Sequence, residues 1–245
     1  MPSTVAGWIV GTPLEKPVRW LLRRPAAPPS RVEQRNTDYD RMTVEIARRV
    51  LGPASNSVDA GANQGVILKE LLRAAPEGRH FAFEPIPRLA KQLRGLAGAE
   101  VHECALSDQT GEATFQYLPG LPTESSLFER PDHTSGQEVV ELTVAVRRLD
   151  DVLPPDLPIH FMKIDVEDAE IPLLRGAMRT LREHRPVVVI EAHVRDLAQV
   201  MEILAEAGLR TWLVADYLAG RQREDTETLR LAHEQGEWYF VGAPA

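Results

Sequence analysis

The stretch SVDAGANQG, from Ser57 to Gly65, limits the folds open to this chain more than any other segment. Val58 follows the loop GPASN and starts a strand, while VILKELLRAA after Gly65 reads as a helix. Between them lies a turn of small residues: Gly61, Ala62, Asn63, Gln64 and Gly65. A strand running through such a turn into a helix brings backbone N–H groups and a positive helix end up to a ligand. Nineteen residues after Gly65, a second strand, HFAF, ends in Glu84. An acid at that offset is where an open α/β sheet grips a ribose through its hydroxyls. The pair points to an adenosine-containing ligand.

A dinucleotide site would carry G-x-G-x-x-G, whose second glycine admits a pyrophosphate. Here that position is Asn63, and the turn follows an acid, Asp59. An acid there repels a pyrophosphate but suits the ammonium of a methionine moiety. S-adenosylmethionine (SAM) has that ammonium and no phosphate. The plainer alternative is that Asp59 caps the turn and the glycines merely permit it.

The chain has 245 residues, enough for one large α/β domain, with ordinary hydrophobic (43%) and charged (26%) content. A net charge of -8 argues against a general nucleic-acid-binding surface. The lone cysteine, Cys104, rules out an internal disulfide and fits a reducing compartment; in an apolar strand it reads as a buried, inert thiol. No apolar run approaches a membrane span, and MPSTVAGWIVGTPLEK has no basic region before its short apolar piece. A cytoplasmic protein without membrane contact is expected.

Residues 1–35 read as an arm, with a two-turn helix over Val18–Arg24 and five arginines. It is either a solvated tail or a segment that packs over the substrate mouth or on a second subunit, the last of which would make a homodimer. Asn36–Gly52 reads as a helix capped by Thr37 or Asp38, with Met42, Ile46 and Val50 as its apolar stripe. Tyr39 and Asp40 at its start are candidates to line the pocket. Glu100–Leu106 reads as the third strand, and residues 113–149 as a hairpin-like insertion. Its tip, Gly120–Glu138, is a candidate lid, with Ser125 and Ser126 reaching the ligands. His160–Ile164 reads as the fourth strand, ending in Asp165. One helix follows to His184, then a strand over Pro186–His193 whose aliphatic run suits burial on both faces. After another helix, RTWLVAD and EWYFVGAP read as the last strands. Glu84, Asp165, Glu191 and His193 all fall at carboxyl ends of parallel strands, where such sheets bind ligands.

Several motifs stand together in order: VDAGANQG, FEP at 83–85, ALSDQTG at 105–111, SSL at 125–127, LDD at 149–151, KIDVEDAE at 163–170, LRGA at 174–177 and PVVVIEAH. This set resembles the FkbM family of SAM-dependent methyltransferases over roughly residues 36–242. The resemblance implies a Rossmann-like class I methyltransferase domain over 36–245. Its seven-stranded sheet is mostly parallel, with the last strand antiparallel and helices on both faces. It also implies O-methylation of a small-molecule hydroxyl, on a natural product or sugar. The match places the methionine part of SAM against Asp59, Gly61, Ala62, Asn63 and Gly65, and the ribose against Glu84, with Pro85 beside it. Leu106, Ser107 and Asp108 would frame the adenine. Asp165 lies at the methyl-transfer edge, and Glu191 and His193 match the family's acid and histidine. One departure stands out: Asp168 occupies a position where the family usually has glycine. If that position needs positive φ, Asp is among the few residues that tolerate it.

Methyl transfer to oxygen requires alignment of sulfur, methyl and oxygen, and a base for the hydroxyl proton. His193 is the first candidate and Asp165 the second. Asp165, Glu191 and His193 could instead hold one divalent ion that acidifies the hydroxyl, although their spacing matches no fixed metal signature. The competing functions are a binding or assembly protein that keeps the fold without turnover, and a nicotinamide-dependent oxidoreductase. Intact acids and histidine argue against the first; Asp59 and the missing glycine argue against the second.

Overall fold

The computed structural model describes residues 31–119, 125–127, 138–221, 226–234 and 236–244. Contacts divide the chain into residues 1–37 and residues 38–245. The proposed arm helix at Val18–Arg24 and most of the candidate lid lie outside the described residues.

In the second unit, β1 (Ser57–Ala60) is buried at every residue and is an interior strand of a seven-stranded sheet. The other strands are β2 (His80–Phe83), β3 (Ala99–His102), β7 (Phe161–Ile164), β8 (Val187–Glu191), β9 (Leu209–Leu213) and β10 (Tyr239–Pro244). Their order is β3-β2-β1-β7-β8-β10-β9. The first five are mutually parallel, and β10 runs antiparallel to both its neighbours. This is the expected class I methyltransferase sheet. Chain order reverses between β1 and β7, so the crevice at their carboxyl ends is the switch point where such sheets bind ligands.

The aliphatic run of β8 meets its expected purpose. Val188 and Ile190 enter one core with Leu173, Leu174, Leu197 and Leu204, while Val187 and Val189 enter another with Ile46, Ile67 and Leu71. Helices α1 (Arg31–Val50) and α2 (Val66–Ala74) supply the second core. The first is supplied by α5 (Glu170–Gly176), α6 (Met178–His184) and α7 (Val194–Glu206). Two short helices, α3 (Pro87–Leu93) and α4 (Leu149–Val152), follow β2 and the strand β6 (Val140–Arg147).

Several boundaries differ from the sequence reading. Helix α1 begins at Arg31, so Thr37 and Asp38 are interior residues and not caps; the last prolines, Pro28 and Pro29, precede it and nothing afterwards breaks it. The strand expected over 100–106 is two pieces. The chain leaves the main sheet at exposed Glu103, and β4 (Ala105–Leu106) pairs with β6 in a second sheet of order β4-β6-β5, with β5 at Gly111–Tyr117. Cys104, at the break, is buried, and burial pushes its thiol up to about 11. The helix expected to reach His184 breaks at Ala177. There Gly176 presses its backbone against the Ser107 carbonyl, where a side chain would not fit. After β9 the chain turns into α8 (Val214–Leu218) and then α9 (Thr226–Glu234); neither helix was anticipated. Val214 starts a helical turn because it packs into the second core rather than continuing a pleat.

Candidate active site

The site is built at the carboxyl ends of β1, β2, β7 and β8. Gly61 has φ 74, and a side chain there would overlap the carbonyl oxygen of Asp165; only glycine lets β1 and β7 approach this closely. Asn63 and Gly65 also have positive φ, at 47 and 73, which tightens the turn into α2. Gly61 and Ala62 both donate their N–H groups to the Phe83 carbonyl, fastening the turn to β2.

Glu84 is buried, and both carboxylate oxygens are held by backbone amides. Asn63 N–H donates to Oε2 at 2.8 Å and Ile86 N–H to Oε1 at 2.9 Å. Burial pushes its pKa up, and these two amides oppose the shift. Each oxygen keeps a second lone pair, so the carboxylate is both fixed and able to accept from a vicinal diol. Pro85 separates Glu84 from that second amide.

Asp59 is 1% exposed, and among the described residues neither carboxylate oxygen has a hydrogen-bond partner. The Leu68 amide is near enough to favour the ionised form without reaching hydrogen-bond geometry. Burial raises its pKa and the charge of Lys163 opposes this, with Nζ 3.7 Å from Asp59 Oδ1. The Asn63 Oδ1 is likewise buried without a partner. Buried orphan acceptors on a glycine turn are what a bound ammonium or hydroxyl would satisfy.

Lys163 was missed in the sequence, and the structure places it at the centre. It donates to the Gly61 carbonyl at 2.8 Å and lies 3.1 Å from Asp165 Oδ2. Burial pulls its pKa down, but Asp165 and Asp59 outweigh burial and hold the ammonium above the usual lysine range. The available signal was a lysine in the otherwise apolar strand FMKI. Lys163 is the register partner of Asp59 across the β1–β7 ladder, so both side chains share one face.

Asp165 also accepts from Tyr239 Oη at 3.0 Å. Burial raises its pKa, yet Lys163 and hydrogen bonds from Glu191, Lys163 and Tyr239 outweigh it and hold the carboxylate ionised. Burial, then the charge of Asp165, pushes Glu191 up to about 10, so Glu191 keeps a proton at neutral pH and donates it towards Asp165. Tyr239 pairs with Glu191 in register and stacks on Tyr39 of α1, with ring centroids 4.6 Å apart. Tyr39 thus reaches the site through Tyr239 instead of lining it directly.

The described residues that gather as a possible metal group are Asp165, Glu167 and Glu191, with ligand oxygens within 4.8 Å of one another. Glu167 takes the place expected for His193. Asp165 is also ion-paired with Lys163 through Oδ2, so a metal there would share the carboxylate with the lysine. His193 caps α7, and its Nε2 lies 3.3 Å from Asp168 Oδ1. Asp168 does adopt positive φ, 74, and Glu167 before it has φ 52.

Ser107 donates through Oγ to Asp108 at 3.2 Å, and buried Leu106 precedes them. The two serines of the candidate lid make contacts within the protein. Leu118 N–H donates to Ser125 Oγ within the insertion, and Ser126 Oγ donates to the Glu167 carbonyl at 2.7 Å, which ties the insertion to the body of the fold.

The family model for the methyltransferase FkbM domain matches residues 59–211. Methyltransferase sdnD of Sordaria araneosa is 32% identical over 152 residues, covering 49% of this chain and 59% of that protein. The 2-O-methyltransferase NoeI of Sinorhizobium fredii is 28% identical over 144 residues, covering 52% and 59%. The crystal structure of methyltransferase FkbM from Methylobacillus flagellatus superposes with a TM-score of 0.49 at 19% identity, over 81% of this chain and 50% of that one. The matches span a little over half the length of these curated relatives. The chain belongs to the FkbM methyltransferase family.

Proposed function

We propose that this protein is a SAM-dependent O-methyltransferase acting on a hydroxyl of a small molecule, a natural product or a sugar. The observation that carries the reading is the pairing, at the sheet's switch point, of a buried Asp59 whose oxygens lack hydrogen-bond partners among the described residues with a Glu84 fixed by two amides. The first suits the ammonium of a methionine moiety and the second a ribose diol. The name of the relative NoeI supports oxygen as the acceptor.

SAM supplies an electrophilic methyl group. The protein orients it: Asp59 and Asn63 hold the amino-acid end, Glu84 the ribose, and Leu106–Asp108 the base. Lys163 favours the ionised forms of Asp59 and Asp165 and fastens the Gly61 carbonyl. Asp165 is too strongly solvated by its three donors to be an effective proton acceptor, and Glu191 already carries a proton. The proton of the acceptor hydroxyl therefore goes to His193, which is half exposed at the rim.

The test is methyl transfer from labelled SAM to a panel of hydroxyl compounds, with wild type and His193→Ala. The variant should lose about 10²–10⁴ in rate while binding SAM normally. Wild-type turnover should survive EDTA. A His193→Ala enzyme with full activity, or an EDTA-sensitive wild type, contradicts this mechanism.

A further inference from the structure

We propose that Asp40 of α1 is the counter-charge for the sulfonium of SAM, and that it makes the site prefer SAM to the product, S-adenosylhomocysteine (SAH). The inference rests on the reading of this crevice as a SAM site. Tyr39, the residue before Asp40, stacks on Tyr239, which stands opposite Glu191, the last residue of β8. That stack sets this turn of α1 at the carboxyl edge of the sheet. Asp40 lies on the same side of the helix as Thr43 and Ala47, three and seven residues on, and both are 2% exposed. Asp40 itself is exposed. A helix side that is packed shut one turn further down is therefore open at Asp40. The charges that act on its carboxylate are those of the crevice: partial burial raises its pKa, Lys163 lowers it and Asp165 raises it. Asp59 and Tyr239 in turn feel the charge of Asp40.

SAM carries two cations, an ammonium and a sulfonium. Asp59, 1% exposed with both oxygens lacking hydrogen-bond partners among the described residues, answers the first. Asp165 is engaged by Lys163 and Tyr239. On α1, Asp38 and Arg41 pair with each other. Among the described residues the Asp40 carboxylate makes neither a hydrogen bond nor an ion pair, so its charge is available to the second cation. When the methyl–sulfur bond breaks, its electron pair stays on sulfur, the C–O bond forms and the hydroxyl proton goes to the base. Asp40 then faces a neutral thioether. Its charge therefore favours the substrate form over the product.

Calorimetric titration of wild type and Asp40→Asn with SAM and with SAH tests this. Asparagine keeps the shape and removes the charge. The residue is exposed, so the melting temperature should stay at the wild-type value. The dissociation constant for SAM should rise by about 3- to 30-fold, the scale of one partly solvated charge, while that for SAH stays near the wild-type value. A loss of equal size for SAM and SAH would put Asp40 at a part the two share and overturns the inference. Unchanged affinity for both overturns it as well. If wild type binds neither ligand, the SAM reading itself fails; if wild type binds both and Asp40→Asn keeps the wild-type ratio of the two constants, only the role of Asp40 fails.

Discussion

Asp59 and Lys163 face each other across the β1–β7 ladder, and each makes the other's burial tolerable. Lys163 must neutralise two buried carboxylates, since Asp165 lies 3.1 Å from the same ammonium. Lys163→Met keeps the volume but strands both acids. Removing one partner of a buried pair typically costs about 3–5 kcal/mol, which should appear as a lower melting temperature at neutral pH. The sign with pH follows. In wild type Asp165 has a lowered pKa, so its contribution is present above the ordinary aspartate range and lost as pH falls. Without Lys163 the carboxylates rise above their unfolded values, so the variant should gain stability as pH falls. A Lys163→Met protein as stable as wild type at pH 7 would contradict the central role of this residue.

The segment KIDVEDAE is the element where packing and chemistry meet. It carries the ion pair at its start, the left-handed Glu167–Asp168 turn in the middle and buried Glu170 at the entry to α5. Burial, opposed by Glu170's own amide and followed by the charge of Asp165, pushes Glu170 up to about 7. A raised acid favours the folded state below its unfolded value and costs stability as pH climbs towards the folded one. Glu170→Gln mimics the protonated form. Its stability should match wild type near pH 4.5 and exceed it by about 2–3 kcal/mol above pH 7, measured by urea unfolding at each pH. A constant difference across that range would remove the assignment.

What could be read from this part of the chain follows from local rules. The glycine turn, the acid after β2 and the aliphatic β8 announce themselves through spacing and composition, so the site's floor was legible. Lys163, Tyr239 and Glu170 were not, because their roles depend on which strands lie side by side and which faces they share. The anchoring of Ser126 into the body of the fold was hidden for the same reason: it joins residues 41 apart, Ser126 to Glu167. The split at Cys104 depended on a pairing with β6 that no local pattern encodes.

For the whole molecule, the parallel sheet gathers the carboxyl ends of β1, β2, β7 and β8, and with them four acids, along one edge. That edge carries the acids Asp59, Glu84 and Asp165, with Glu191 holding a proton, and Lys163 among the described residues, in a chain of net charge -8. A cationic ligand is favoured there and a pyrophosphate is repelled. Among the described residues no helix is long and apolar enough to cross a membrane. The direct measurement is calorimetric titration of the wild-type chain and Glu84→Ala with SAM and with NAD. The account predicts that wild type binds SAM and not NAD. Glu84→Ala should weaken SAM by about tenfold or more, since hydrogen bonds to a charged group are worth about 1.5–3 kcal/mol. Binding of NAD in place of SAM, or unchanged SAM affinity in Glu84→Ala, would contradict it.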